Sequence, residues 1–434
     1  MKQLFFIISL LILPIGLQKT LAYNCEADYS SKKTDKQSEI HCLLTGSVMD
    51  IPECNYIALA RYDADLRISD FVKIPVEKGR FSYEFVTGIE DAYQLILWND
   101  YMKGSWNPIP FIVQDGKVNF VIYPRTHNPH FRIQTDTPLN NELDRVERKM
   151  DSLFIEPLRK EERELREASL YETDEFSALR RKFEKETDDN ERRKLAEKAQ
   201  TLYKSGEALK PEYVAFNKKY DREIHKMWNF LFEYSRTSSN LVGLYLMRKY
   251  IQYPKADIPV CVDVFRSSYE KKFPTHPLTK EINLFFVSRE IKVGNSFLDF
   301  TAPDLSGTTR VLSKEIKGKV ALIDLWASWC GPCRALSKTV IPLYDAYKDK
   351  GFTVVGVARE RNNTDAMVKA IEKDQYPWLN LVDLDDQCAI WQQYGVGNAG
   401  GRTFLVDRDG KILAIHPTAE EIETILKEKL EKSK

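Results

Sequence analysis

The chain has 434 residues, too many for one ordinary hydrophobic core, so its length predicts two or three units. It is 43% hydrophobic and 29% charged, as globular proteins are, and 64 basic residues balance 64 acidic ones. That balance leaves no electrostatic footprint for nucleic acid or an anionic membrane surface, and nucleic-acid binding is set aside.

Residues 1–22 read as a secretory signal. Lys2 is followed by an apolar stretch from Leu4 to Leu17 that is short for a membrane span, and Thr20 with Ala22 supplies small residues for cleavage after Ala22. A retained membrane anchor is the alternative. Cys25 is near enough to suggest lipidation, but Tyr23 and Asn24 stand where small residues would precede such a site. Export would place the protein in the periplasm or cell envelope, where disulfides persist, so its seven cysteines carry weight. Cys330 and Cys333 form a C-x-x-C pair; Cys25, Cys42, Cys54, Cys261 and Cys388 are odd in number, and the sequence leaves their pairing open.

Residues 23–136 are expected to form an all-β, sandwich-like domain. Alternating runs at 42–48, 56–62, 79–86, 93–98 and 117–123 read as strands, with Lys78-Gly79 and Asp115-Gly116 as hairpin turns of an antiparallel sandwich. Residues 137–290 form a helical segment. Leu139, Leu143, Val146, Met150, Leu153 and Phe154 keep the spacing of an amphipathic helix, and Tyr220, Ile224, Met227, Trp228 and Leu231 repeat it. Between them, residues 161–198 are dense in Glu, Arg and Lys, read as a solvated helical face rather than a docking site. His225 is read as a packed or surface histidine, and Pro274 and Pro277 end one helix before Leu278 opens another.

Residues 291–434 alternate β and α. A hairpin around Ser306-Gly307 leads to a buried-type strand at 320–326, then a helix after Cys330; strands follow at 352–358, 379–383, 403–407 and 411–415, with helices at 364–373, 385–394 and 420–432.

Within this region the run Trp326-Ala327-Ser328-Trp329-Cys330-Gly331-Pro332-Cys333 follows an apolar strand. It resembles the active-site strand, turn and helix of thioredoxins, and the lead-in Lys317-Gly318-Lys319 resembles the exported thioredoxin-like family used in envelope thiol reduction and cytochrome c maturation. The resemblance covers residues 293–434 and implies an α/β thioredoxin-like domain. The chemistry accounts for the spacing: one thiolate must be open for attack, and a second thiol must be near enough to displace the mixed disulfide. Cys330 falls where free N–H groups and the helix dipole favour its thiolate, and Cys333, one turn deeper, is expected to be less exposed and to resolve. Pro332 suits the first helical turn, where its missing donor would go unused.

Asp324, six residues before Cys330, is a candidate to take the Cys333 proton, and thioredoxins carry an Asp at this place; the alternative is a carboxylate that only hydrogen-bonds. Trp329, Gly331, Pro332, Gly400 and Gly401 are expected to face a bound substrate chain, with Trp326 in the core. The family carries a cis-proline before the strand that ends near Asp407; here Gly397-Asn398-Ala399-Gly400-Gly401-Arg402-Thr403 has none, and Gly401 falls at its place. Glycine lacks the fixed φ of proline, so a more flexible loop is expected.

Half a zinc knuckle is the competing reading of C-x-x-C, but no second pair exists. His416 and Cys388 lack knuckle spacing; His416 is read as a loop residue and Cys388 as a buried free thiol on the 385–394 helix. No metal or cofactor is expected. The sequence thus predicts a protein-disulfide oxidoreductase, of reductase or isomerase type, acting on exported proteins that carry thiols or disulfides and recharged by a membrane dithiol donor. Two alternatives stay open: an envelope protein whose N-terminal part binds a partner or ligand, with an accessory thioredoxin-like domain, and a peroxide-responsive thiol protein, although the usual peroxidatic motif is missing.

Overall fold

The structure, a computed structural model, describes residues 39–431 apart from positions 63, 68 and 128. The expected signal segment, its cleavage site and Cys25 lie outside the described residues. The chain divides into two compact units, one ending at Ile282 and the other beginning at Asn283.

The first unit opens with eight strands: β1 (Ile40–Val48), β2 (Tyr56–Arg61), β3 (Val72–Pro75), β4 (Arg80–Thr87), β5 (Asp91–Leu97), then after the short α1 (Trp98–Met102) β6 (Ile109–Val113), β7 (Gly116–Ile122) and β8 (Phe131–Thr135). They build two four-stranded sheets, ordered β4-β1-β7-β8 and β3-β2-β5-β6. Side chains of alternate residues, among them Cys42, Leu44, Ile57, Leu95, Phe111 and Phe120, fill the core. Lys78 (φ 49°) and Gly79 (φ 73°) make a two-residue turn closed by paired Glu77 and Arg80 hydrogen bonds, 2.8 and 2.9 Å, where both central residues need positive φ. Two expectations need correction. β1 and β7 pair in parallel, with Cys42 opposite Gly116, because the other sheet's strands intervene in sequence and supply the crossover a parallel pair needs. Asp115-Gly116 therefore carries the chain from β6 in one sheet to β7 in the other and closes no hairpin.

The helices are α2 (Pro138–Met150), a π-helical turn at Asp151–Ile155, α3 (Glu156–Glu167), α4 (Asp174–Lys185), α5 (Asp189–Ser205), α6 (Pro211–Thr237), α7 (Leu241–Tyr250), α8 (Ile258–Ser268) and α9 (Pro277–Ser288). Asn140, fully buried, accepts from Ile112 N at 2.7 Å and donates to Ile112 O at 2.6 Å, tying α2 to β6, so strands and helices share one unit. Pairs such as Glu162–Arg166 and Arg180–Glu184 line exposed helix faces one turn apart. His225 lies between Tyr253 Oη, 3.1 Å from Nδ1, and Asn229 Nδ2, 3.2 Å from Nε2. Cys42, Cys54 and Cys261 are free and buried; burial pushes Cys54 up to about 11 and Cys261 up to about 12 and raises Cys42, so none is poised to react.

The second unit begins with a hairpin, β9 (Thr301–Pro303) and β10 (Thr309–Val311), and the single turn α10 (Leu312–Glu315). There follow β11 (Val320–Trp326), α11 (Gly331–Tyr347), β12 (Phe352–Glu360), α12 (Asp365–Asp374), β13 (Leu379–Leu384), α13 (Ile390–Gln393), β14 (Arg402–Val406), β15 (Ile412–Ile415) and α14 (Ala419–Leu426). The sheet order is β13-β12-β11-β14-β15, with β12 parallel and β14 antiparallel to central β11. All of β11 is buried. Ala321, Ile323 and Leu325 enter one core cluster while Val320, Leu322 and Trp326 enter the other, which is why the strand reads as a continuous apolar run. This is a thioredoxin-like fold, preceded in the chain by a strand-rich pair of sheets and a helical segment.

The helix expected at 385–394 shrinks to Ile390–Gln393. Asp385, Asp386 and Ala389 adopt positive φ, and the buried Asp383 carboxylate accepts from Cys388 N and Ile390 N at 2.8 Å each, which fixes a turn where helical spacing suggested a helix. Cys388 lies in that turn and is disulfide-bonded, which corrects the expectation of a free helical thiol. Among the described residues no helix is long and apolar enough to cross a membrane.

Candidate active site

β11 delivers the chain to the turn 327–330, and Cys330 is the N-cap of α11, its Sγ accepting from Cys333 N at 3.3 Å. Cys330 and Cys333 are joined as a disulfide, with Cα atoms 5.3 Å apart. Exposure runs opposite to expectation: Cys330 is 5% exposed whereas Cys333 is half-buried. The reason is local. Cys330 belongs to the core cluster of Ala327, Trp391 and Val396, while Cys333, already on the helix, packs on both clusters from their margin. Both line a groove of about 270 Å³ with Asp324, Pro332, Leu336, Gly400, Gly401, Thr403 and His416 among its walls.

Asp324 stands on the β11 face that carries Val320, Leu322 and Trp326, behind the disulfide. It is 3% exposed, and burial pushes its carboxyl up to about 6, partly offset by Ser337 Oγ, which donates to Oδ2 at 2.7 Å. A carboxyl at that position can exchange a proton near neutral pH. Thr403 is its direct partner in the β11–β14 register, so the two side chains share a face. The Thr403 hydroxyl is buried and has no hydrogen-bond partner among the described residues.

The remaining expected residues cluster as well. Trp329 is 53% exposed beside the cysteines, its ring centroid 6.1 Å from that of Trp391. Gly331 and Pro332 are exposed in the first turn of α11, and Trp326 is fully buried, donating through Nε1 to Asn380 Oδ1 at 3.2 Å. Gly400 and Gly401 pass the disulfide closely: a Cβ on Gly400 would lie 3.7 Å from Cys330 Sγ, and one on Gly401 only 1.9 Å from the Leu325 carbonyl oxygen. His416 is a loop residue, at φ 55°, that also faces the groove.

Two further groups at the site, Glu360 and Arg359, were not among the expected residues. Glu360, 3% exposed at the end of β12, accepts from Ser328 N and Ser328 Oγ at 2.7 Å each and so pins the turn before Cys330. Arg359 donates to Asp386 at 2.5 and 2.6 Å and to Asn398 Oδ1 at 2.7 Å, while its guanidinium lies 5.2 Å from the Trp391 ring centroid. It thereby couples the Cys388 turn to the glycine loop. The strand expected to stop at Ala358 excluded both; a charged pair ending an apolar strand was the available clue. Among the described residues, no group of three or more His, Cys, Asp or Glu could hold a metal ion.

Residues 292–430 match the Redoxin family. Over 147 residues the chain is 33% identical to the thiol-disulfide oxidoreductase ResA of Bacillus thuringiensis (strain Al Hakam), covering 33% of this chain and 82% of that protein. Another thiol-disulfide oxidoreductase ResA, from Geobacillus thermodenitrificans (strain NG80-2), is 30% identical over 135 residues, or 31% of this chain and 74% of that protein. Among solved structures, the thioredoxin domain of a thiol-disulfide oxidoreductase from Bacteroides vulgatus shares 30% identity, covering 32% of this chain and 99% of that one, with a TM-score of 0.30. A disulfide at the mouth of α11 and a relative covered over 82% of its length lead to the same class, and this chain belongs to the thiol-disulfide oxidoreductases.

Proposed function

We propose that Cys330 and Cys333 exchange disulfides with exported proteins in the periplasm or cell envelope, with the chain working as a reductase or isomerase. The observation that carries this reading is the Cys330–Cys333 disulfide at the N-cap of α11, on a groove beside the exposed Trp329. The Cys330 thiolate attacks one sulfur of a substrate disulfide, the substrate's second sulfur leaves as a thiolate, and a mixed disulfide remains. Cys333, its proton passed to Asp324, then attacks Cys330 Sγ; the Cys330–substrate bond breaks and the substrate leaves as a dithiol. Trp329, Gly331, Pro332, Gly400 and Gly401 line the approach of the substrate chain. An oxidising compartment requires a dithiol donor in the membrane to restore the pair. The Gly-Pro between the cysteines is the dipeptide of reducing thioredoxins, which work near −270 mV, roughly 150 mV below oxidants of the same fold.

A Cys333→Ala chain should accumulate mixed disulfides through Cys330 in living cells, identifiable by mass spectrometry, and recovering none would reject the proposal. Purified wild type should reduce insulin and leave peroxide unconsumed; the opposite pattern favours the peroxide reading. The equilibrium potential of the couple then sets the direction, a value near that of oxidants of the fold arguing against reduction.

A further inference from the structure

The loop that lacks the family's proline has a donor where proline would have none. Gly401 N–H points at Cys333 Sγ, with N and S 3.1 Å apart. Proline at that place would carry no N–H. Nor is any other residue accommodated as the backbone stands, because a Cβ on Gly401 would meet the Leu325 carbonyl oxygen at 1.9 Å and Cys333 Sγ at 3.0 Å. The two sulfurs are therefore provided for separately: Cys330 Sγ accepts from Cys333 N at 3.3 Å, and Cys333 Sγ from Gly401 N.

From this arrangement we infer that the Gly401 amide is the group that stabilises negative charge on Cys333 whenever the disulfide is opened. The inference rests on the exchange reading above. When a thiolate of the dithiol donor attacks Cys330 Sγ, a donor–Cys330 bond forms, the Cys330–Cys333 bond breaks, and the electron pair departs on Cys333 Sγ. The N–H already aimed at that atom receives the charge without reorganisation. The donor's second thiolate then attacks the donor sulfur bonded to Cys330: a donor disulfide forms, the donor–Cys330 bond breaks with its electron pair on Cys330 Sγ, and the two protons given up by the donor's thiols return the pair to its dithiol form. In the forward direction the same contact holds the Cys333 thiolate beside Cys330 before it closes the ring. A hydrogen bond to a thiolate is stronger than one to a disulfide sulfur, so the contact favours the reduced pair. Its loss should shift the dithiol–disulfide equilibrium about tenfold toward the disulfide, which for a two-electron couple is about 30 mV.

Gly400-Gly401 is the single Gly-Gly peptide in the sequence. Full-length protein grown with glycine labelled at both carbonyl carbon and nitrogen therefore gives one line in a carbonyl-edited amide spectrum, and that line is Gly401. The expected result is a downfield move of its proton on reduction, and a further move with pH whose midpoint matches that of Cys333 alkylation. A line blind to reduction, or titrating apart from Cys333, overturns the inference. Gly401→Ala and Gly401→Pro both bring in the obstructing Cβ but only alanine keeps the N–H, so the proline variant should lie about 30 mV lower, and equal potentials overturn the inference too. Should the Cβ prevent both from folding, the unaltered chain decides alone. Failure of wild type to reduce insulin would sink the exchange reading, whereas activity with a silent Gly401 line sinks only the role given to the amide.

Discussion

Asp324→Asn separates a proton-handling carboxyl from one that only hydrogen-bonds. In the folded protein burial lifts this carboxyl from 3.8 to about 6, with the Ser337 hydroxyl opposing. Between those two values the native state holds a proton that the unfolded chain has released, so stability falls as pH rises through the window and stays lowered above it. At about 1.36 kcal/mol per pKa unit, the displacement amounts to about 3 kcal/mol at pH 7. Asparagine carries no such proton and can still accept from Ser337. The stability gained by the variant should thus be small near pH 4, grow to about 3 kcal/mol by pH 7, and then level off. Urea unfolding of the oxidised chain, followed by hydrogen exchange in the β11 segment, reads this unit alone and keeps the active-site cysteines from titrating. A difference between variant and wild type that does not change with pH would refute the assigned burial of charge. The same variant should resolve a Cys330 mixed disulfide more slowly at pH 7, typically by 10²-fold or more for a lost general base, and an unchanged rate leaves Asp324 only its hydrogen bond.

Three other substitutions test the surroundings. Glu360→Ala strands the Ser328 N–H and hydroxyl now held at 2.7 Å each, so thermal unfolding should show a loss of about 3 kcal/mol and turnover should fall as the turn before Cys330 loosens; a loss below about 1 kcal/mol would mean the turn holds itself. Thr403→Val removes a buried hydroxyl that has no partner among the described residues and should stabilise the chain by about 1 kcal/mol, while a comparable loss in urea unfolding would show that the hydroxyl is satisfied in solution. Arg359→Lys replaces a planar fork that spans Asp386 and Asn398 with a single ammonium, so amide exchange in residues 397–401 should quicken about tenfold, and unchanged protection would uncouple that loop from the Asp386 turn.

What the sequence disclosed is what short-range rules determine. The position of Cys330 at a helix mouth follows from an apolar strand, a tight turn and Pro332, all within a dozen residues. Asp324 could be placed because a single acid in the run Val320 to Trp326 must lie between the layers that bury that strand on both faces. The parallel pairing of β1 with β7 was hidden, because alternation reports which face a residue takes and not which neighbour the strand chooses. The turn at Cys388 was hidden for the opposite reason: Ile390, Trp391 and Tyr394 keep helical spacing, and the competing pull comes from Asp383, whose carboxylate takes two amides that a helix would have used otherwise.

The glycine loop shows most plainly where such reading ends. Absence of proline from residues 397–403 argued for a looser loop, since a fixed φ was gone. Yet Asn398 is held by Arg359, and Gly401 is pressed so near the Leu325 carbonyl that no Cβ fits. Both constraints come from strands β11 and β12, distant in sequence, and neither leaves a mark in the local composition. A missing side chain says which atoms are gone; what takes their place is decided by the neighbours, and here the neighbour is the sulfur of Cys333, within reach of an N–H that proline would have deleted.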